Sequence, residues 1–266
     1  MVGDGPHVLV LLAGTALLRP YVIAFVAAFL WLAGRDLGWG RTAVWFCWGG
    51  LAAFVAEYSS TRTGIPFGHY YYSGATSGQE LFVSNVPFFD MLSFPFLAYG
   101  AWCLARAALG RTHGWTPVAL SGVLMMGSDV VIDPLAVRGA RWFLGEIFSY
   151  HEAGVYFGVP LSNFGGWILL GWVIVGGWLW MVGPPPRPGS PSGGVGLYYG
   201  VVLFNLGMTA WIGEGRLCGA GILVHVAVLL LLYRIKTLAV ALGREYEPLV
   251  DEGVAVPTTR MHERGR

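Results

Sequence analysis

The chain has 266 residues, 55% of them hydrophobic and 12% charged, with a formal net charge of +1. A soluble domain carries about 25% charged residues, so a water-facing surface over most of this chain is excluded and a lipid-facing one is expected. With no basic stripe, nothing points to nucleic acid as a partner, and the twelve Trp suit a bilayer interface.

A spanning helix needs about 20 mostly apolar residues, because the hydrocarbon core is about 30 Å thick and a helix rises about 1.5 Å per residue. Seven stretches qualify, near 8–33, 42–57, 88–108, 115–132, 164–183, 196–213 and 217–235. They lack the alternation of barrel strands, and backbone polar groups in lipid must be satisfied within the segment. The expected fold class is therefore all-α, a polytopic transmembrane helical bundle of about seven spans. Residues 1–243 form one transmembrane domain, and 244–266 a polar, disordered tail.

The chain begins Met1-Val2-Gly3-Asp4 with no Lys or Arg before Arg19, so no cleaved signal peptide is expected. Arg19-Pro20 interrupts the first stretch, and Pro removes a backbone donor and kinks a helix. One kinked span and two half-spans both fit locally. With seven spans, one side of the membrane collects Arg35, Arg41, Arg106, Arg111, Arg187, Arg234, Lys236, Arg244, Arg260, Arg264 and Arg266, and the other only Arg62, Arg138, Arg141 and Arg216. That asymmetry favours a single first helix and puts the C-terminus of a multi-pass membrane protein in the cytoplasm.

Residues 184–194, rich in Pro, Gly and Ser, read as a linker. Cys47, Cys103 and Cys218 lie far apart in apolar runs and read as core residues. Two loops, 58–87 and 133–163, are long, aromatic and rich in Gly. Loops of that kind tend to be functional, and the topology puts both on one side, where their acidic neighbours can share a cavity.

Ionisable residues at span edges are costly and are candidate functional groups. Glu57 ends the second span, Asp90 begins the third, and Asp129 and Asp133 end the fourth. Asp129 and Asp133, four residues apart, share a helix face. Two such carboxylates cannot both ionise cheaply, so one keeps its proton, as a general acid needs. The bland alternatives are that Asp133, before Pro134, merely closes its helix, that Asp129 pairs with Arg138 or Arg141, and that Glu57 pairs with Arg62. His69, in a Tyr-rich loop, reads more readily as structural. Tyr150-His151-Glu152 with Tyr156 forms a second polar cluster, and Asn163 is expected to cap the fifth span. The absence of His-x-x-x-His and Cys-x-x-Cys gives no metal motif. No phosphate loop and no Gly-x-Ser-x-Gly elbow is present.

Three blocks carry a family resemblance: Glu57-Tyr58-Ser59 through Thr63-Gly64-Ile65-Pro66-Phe67-Gly68-His69-Tyr70; Val86-Pro87; and Asp129 and Asp133 through Gly154-Val155-Tyr156-Phe157-Gly158-Val159-Pro160-Leu161-Ser162-Asn163-Phe164-Gly165-Gly166-Trp167. Over roughly residues 42–183 the chain resembles the integral-membrane carotenoid biosynthesis family that contains bacterial and archaeal carotenoid hydratases. It departs from that pattern at Asn85 and at Phe88-Phe89-Asp90, and it lacks the Pro-x-Glu-Glu type motif of the small lycopene cyclases. The resemblance implies addition of water across the terminal C1–C2 double bond of an acyclic carotenoid to give a tertiary alcohol, with no redox cofactor. Its implied partners are the lipophilic carotenoid, membrane lipid and other enzymes of the pathway. The residues suit that chemistry with Asp129 as acid, Asp133 as its partner, and Glu57 or Asp90 positioning water. Tyr58, Arg62, His69, Tyr70, Tyr156, Asn163 and Trp167 are the candidate substrate-binding residues. A carotenoid cyclase or isomerase would use the same acid without water. A membrane transporter is the reading from another class, although no repeated halves are visible.

Overall fold

The computed structural model describes residues 7–241. The polar tail expected from residue 244 lies outside the described residues. The chain is an all-α bundle of eight helices among the described residues: α1 (Val8–Leu18), α2 (Pro20–Leu37), α3 (Trp39–Thr63), α4 (Phe88–Leu109), α5 (Trp115–Ala136), α6 (Leu161–Val182), α7 (Ser192–Trp211) and α8 (Gly215–Ala241). Six of them, α2 and α4 to α8, are long and apolar enough to cross a membrane. At 25 residues α3 has the length as well, but its Trp, Gly and polar last turns dilute its apolar content. The outer faces are apolar: Leu223, Leu230, Leu231 and Trp180 are all exposed. A water-soluble monomer does not carry so much contiguous apolar surface, and the chain is an integral membrane protein.

The first expected span is two helices, contrary to the single helix that the loop charges favoured. The chain turns at Arg19 (φ −123°, ψ 50°), and Pro20 opens α2, where its missing N–H costs nothing. At 11 residues α1 is about 16 Å long, too short to span. It packs instead on the 58–87 loop. A Cβ on Gly14 would meet the Gln79 carbonyl oxygen at 1.8 Å, and the Leu81 N–H donates to Thr15 Oγ1 at 3.0 Å.

Arg19 holds this corner. Its side chain is almost fully buried and donates to Glu80 at 2.8 and 3.1 Å and to the Leu144 carbonyl at 2.7 Å. The guanidinium also lies 4.5 Å from the centroid of the Phe89 ring. One side chain therefore joins α2, both long loops and the start of α4. A second buried pair, Arg106–Asp36 at 2.5 Å, closes the opposite end, where Arg106 also donates to the Gly189 carbonyl at 2.8 Å and Tyr99 to Asp36 at 3.0 Å. Arg106, counted from sequence as a loop charge, is thus a buried helix residue. Of the expected 184–194 linker, residues 184–191 are irregular and pinned by it, whereas Ser192, Gly193 and Gly194 already belong to α7.

The hub is α4, which touches α2, α3, α5, α6, α7 and α8. Gly122 of α5 and Gly171 of α6 face each other so closely that a Cβ on Gly171 would meet Gly122 Cα at 2.7 Å. Small residues let helix backbones approach in this way in membranes. Of the cysteines, Cys103 is buried, whereas Cys47 is exposed on the outer surface.

Helix ends run past the expected limits. Beyond 57, α3 continues to Thr63, where Gly64 caps it in the left-handed conformation (φ 78°) and donates to the Ser60 carbonyl at 2.9 Å. Through Pro134, α5 continues to Ala136, so Asp133 does not end it. The two long loops contain strands that the reading of helices alone passed over. β1 (Tyr70–Tyr72) pairs antiparallel with β4 (Phe148–Tyr150), Tyr70 opposite Tyr150 and Tyr72 opposite Phe148. A second hairpin joins β2 (Phe82–Val83) to β3 (Val86–Pro87).

Removing one partner of a buried ion pair costs about 3–5 kcal/mol, because the other charge is left uncompensated. Glu80→Ala is expected to lower the unfolding free energy by about that amount. Arg19→Met with Glu80→Leu is expected to recover most of it. Thermal unfolding of the purified protein in detergent reads both.

Candidate active site

The end of α3, the starts of α4 and α6 and the end of α5 meet beneath the β1–β4 sheet. There they enclose a cavity of about 120 Å³. Side chains alternate along a strand. Tyr70, Tyr72, Phe148 and Tyr150 therefore point into the cavity, while Tyr71 between the first two is exposed. The cavity has a polar floor of carboxyl, amide and phenol groups. Phe67, Phe94 and Trp167 form an aromatic wall, with Trp167 4.9 Å from Phe94 between ring centroids. Val22, Phe25, Leu97, Val201 and Phe204 give the cavity an apolar side.

Two carboxyl pairs form the floor. In the first, Glu57 is buried and accepts from the Tyr70 hydroxyl. The Tyr72 hydroxyl lies 2.7 Å from the same Glu57 oxygen and also contacts Asp90 Oδ2. One phenol has one proton to give, so one of its two carboxyl contacts is made by a carboxyl proton. Burial, then the charges of Asp90 and Glu57, pushes Tyr72 well above the usual tyrosine range, so it stays protonated.

In the second pair, the Asn163 amide donates to Asp129 Oδ2 at 2.6 Å and to Asp133 Oδ2 at 2.8 Å. Tyr150 reaches Asp133 at 3.4 Å. Burial, then Asp133, raises Tyr150 above its ordinary range as well. The Asp129 and Asp133 carboxyls are also within hydrogen-bond reach of each other, a contact that one carboxyl proton has to make. Asp133 faces the cavity, whereas Asp129 lies behind it with Oδ1 buried and without a partner.

The structure thus gathers Glu57, Tyr70, Asp90, Asp133, Asn163 and Trp167 around one cavity. It leaves others outside. Tyr58 is exposed, with the Arg62 guanidinium 3.4 Å from its ring centroid. Arg62 bonds Asn85 at 2.9 Å, so the Glu57–Arg62 pair is not formed. His69 sits on the outer side of the sheet, its ring 4.3 Å from that of His151. Tyr156 packs on Phe157 and Phe164, and its hydroxyl is buried with no partner. Arg138 pairs with Glu214 at 3.4 Å and not with Asp129, and Arg141 pairs with the same glutamate. Asn163 is no cap: α6 begins at Leu161 after Pro160, which frees the amide for the carboxylates. Tyr72, and Tyr150 as a carboxyl partner, were missed. The readable signal was the strand-like alternation of Tyr70-Tyr71-Tyr72 and Phe148-Ser149-Tyr150. Among the described residues no group of three or more His, Cys, Asp and Glu side chains is placed to hold a metal ion.

A membrane-crossing bundle with carboxyl and phenol groups gathered at one end of an aromatic cavity defines an integral membrane protein built around a lipophilic chamber. The chain belongs to the carotenoid biosynthesis protein family, whose family model matches residues 7–233. It is 32% identical over 166 residues to the bisanhydrobacterioruberin hydratase of Haloarcula japonica, covering 62% of this chain and 51% of that protein, so the chain matches about half the length of this curated relative. No solved structure matches the chain.

Asn163→Leu removes the shared donor from two buried acceptors. Leaving a buried polar group unsatisfied costs about 1–3 kcal/mol, and more for a charge, so a loss of at least that size is expected in thermal unfolding. Asn163→Leu with Asp129→Leu is expected to be more stable than Asn163→Leu alone.

Proposed function

We propose that the protein is a carotenoid hydratase, adding water across the terminal C1–C2 double bond of an acyclic carotenoid end group to give a tertiary alcohol. The observation that carries this reading is the meeting, in one cavity, of the Glu57, Asp90 and Asp133 carboxyls with an aromatic wall. At about 120 Å³ the cavity approaches the size of engineered cavities that bind benzene, which suits an isoprenoid end but not a whole carotenoid.

Sequence alone favoured Asp129 as the acid. Position favours the opposite pair, because Glu57 and Asp90 line the cavity and Asp129 lies behind it. The Glu57–Tyr72–Asp90 cluster holds a carboxyl proton, and Asp133 is the acceptor that faces the cavity. The carboxyl O–H of the Glu57–Asp90 pair gives its proton to C2, the C1–C2 π pair forms the new C–H bond, and C1 becomes a tertiary cation. The faces of Phe94 and Trp167 stabilise that cation. Water attacks C1 through oxygen, and Asp133 takes the proton that water releases. Proton return from Asp133 to the Glu57–Asp90 pair restores the site, and the net change is the addition of one water.

A cyclase would use the same acid in a dry pocket. Arg35, Arg41 and Arg187 gather at the end opposite the site, which supports the reading that the site end faces outward and the C-terminal end of α8 faces the cytoplasm.

The test is pigment analysis, by chromatography and mass spectrometry, of a lycopene-accumulating strain that expresses the chain. The expected product is more polar and heavier by one water. Glu57→Gln and Asp133→Asn are each expected to lower its yield by about 10²–10⁴-fold, the usual contribution of general acid–base groups. A product of unchanged mass would instead assign a cyclase or isomerase. No product, with the protein present in the membrane, would overturn the reading.

A further inference from the structure

The cavity is too small for a polyene, so the remainder of a bound carotenoid has to leave it. The polar floor and the β1–β4 sheet close one end, and the Arg19–Glu80 pair seals the corner beside it. The apolar side is the remaining direction, and Val22, Phe25, Val201 and Phe204 place it at α2 and α7.

These two helices are antiparallel and unevenly spaced. At the end remote from the site the contact is tight: a Cβ on Gly193 would meet the Leu32 side chain at 2.5 Å. At the site end the gap is filled by aromatic side chains instead. Tyr21 and Phe204 stack with centroids 5.2 Å apart, and Phe25 meets Phe204 at 5.9 Å. Tyr21, Phe25 and Phe204 all line the cavity. The next ring outward, Phe143, lies 5.6 Å from Tyr21 and is 52% exposed. Tyr21, Phe25 and Phe204 are only half-buried, as side chains between a cavity and the surrounding lipid would be. Turning a Phe or Tyr about χ1 needs no broken hydrogen bond in a helix.

We propose that Tyr21, Phe25 and Phe204 form a lateral portal between α2 and α7, through which an end group enters from the bilayer and in which the polyene chain then lies. The portal deepens the hydratase reading and rests on it for the identity of the polyene, while its test has a readout of its own. It takes long, flat, apolar chains: its surfaces are aromatic faces and Val201, and its far end is closed where Gly193 meets Leu32. Binding leaves the chain in lipid and desolvates only the reacting end.

The test locks the portal. Phe25→Cys with Phe204→Cys is made in a background with Cys47 and Cys218 changed to Ser (Cys103 is buried). A short bifunctional thiol reagent whose bond is reversed by reductant then cross-links the pair in membranes. Cross-linking is expected to lower both carotenoid retained on purification, read by visible absorbance, and carotenoid conversion by at least tenfold, and reductant is expected to restore both. Leu32→Cys with Gly193→Cys, cross-linked at the closed end, is expected to change neither. Unchanged pigment binding and conversion in the locked Phe25/Phe204 protein would overturn the portal. Pigment lost on locking, from a protein that forms no hydrated product at all, would support the portal and count against the hydratase.

Discussion

Four carboxyl groups and three tyrosine hydroxyls crowd around one small cavity inside an otherwise apolar bundle, and most of the architecture at that end serves to satisfy them. A buried charge is tolerated only when it is paired and hydrogen-bonded. Glu57 and Asp90 are reached by phenols carried on β1, and Asp129 and Asp133 by an amide at the start of α6. The phenols arrive because the two long loops pair as strands. The loops in turn are held by Arg19, at the break between α1 and α2. The helix break, the sheet and the close α5–α6 contact at Gly122 and Gly171 are thus parts of one requirement: to bring neutral donors to buried carboxyls without opening the site to bulk water.

The two pairs differ in their donors and their placement, and the difference supports the proposed division of labour. An amide ties Asp129 to Asp133, and of the two only Asp133 faces the cavity, as an acceptor. A phenol between two carboxyls offers one proton, and so retains a carboxyl proton. The first arrangement suits a base that holds water, the second an acid. The aromatic wall between them, with Phe94 and Trp167 in contact, lies where a developing cation needs a face to rest on. The portal proposed between α2 and α7 adds a reason for the cavity's small size, because only the end group has to leave the lipid.

Much of this was legible in the sequence. The apolar stretches fixed the helix count to within the first span, because lipid leaves helices little freedom to be anything else. Glu57, Asp90 and Asp133 stood out as charges at span edges, and all three line the cavity. What was hidden had local causes. Arg19-Pro20 read as a kink, since nothing nearby in sequence showed that the arginine's partner, Glu80, lay 61 residues away. Asn163 read as a helix cap because its position near the expected start of a span is also where caps occur; its partners lie 30 and 34 residues upstream. Tyr72 was overlooked because a run of three tyrosines reads as interfacial decoration until strand alternation singles out the first and third. Tyr58 and Arg62, within the resembling block, face outward because α3 continues as a helix past Glu57 and turns them to the other side.

The most direct measurement is the source of the atoms added to the product. Membranes containing the protein would convert an acyclic carotenoid in water enriched in oxygen-18, and separately in deuterium oxide. Direct hydration predicts oxygen-18 in the new hydroxyl and one non-exchangeable deuterium on the carbon beside it. A hydroxyl whose oxygen does not come from water, or a product that takes up deuterium but no oxygen, would contradict it.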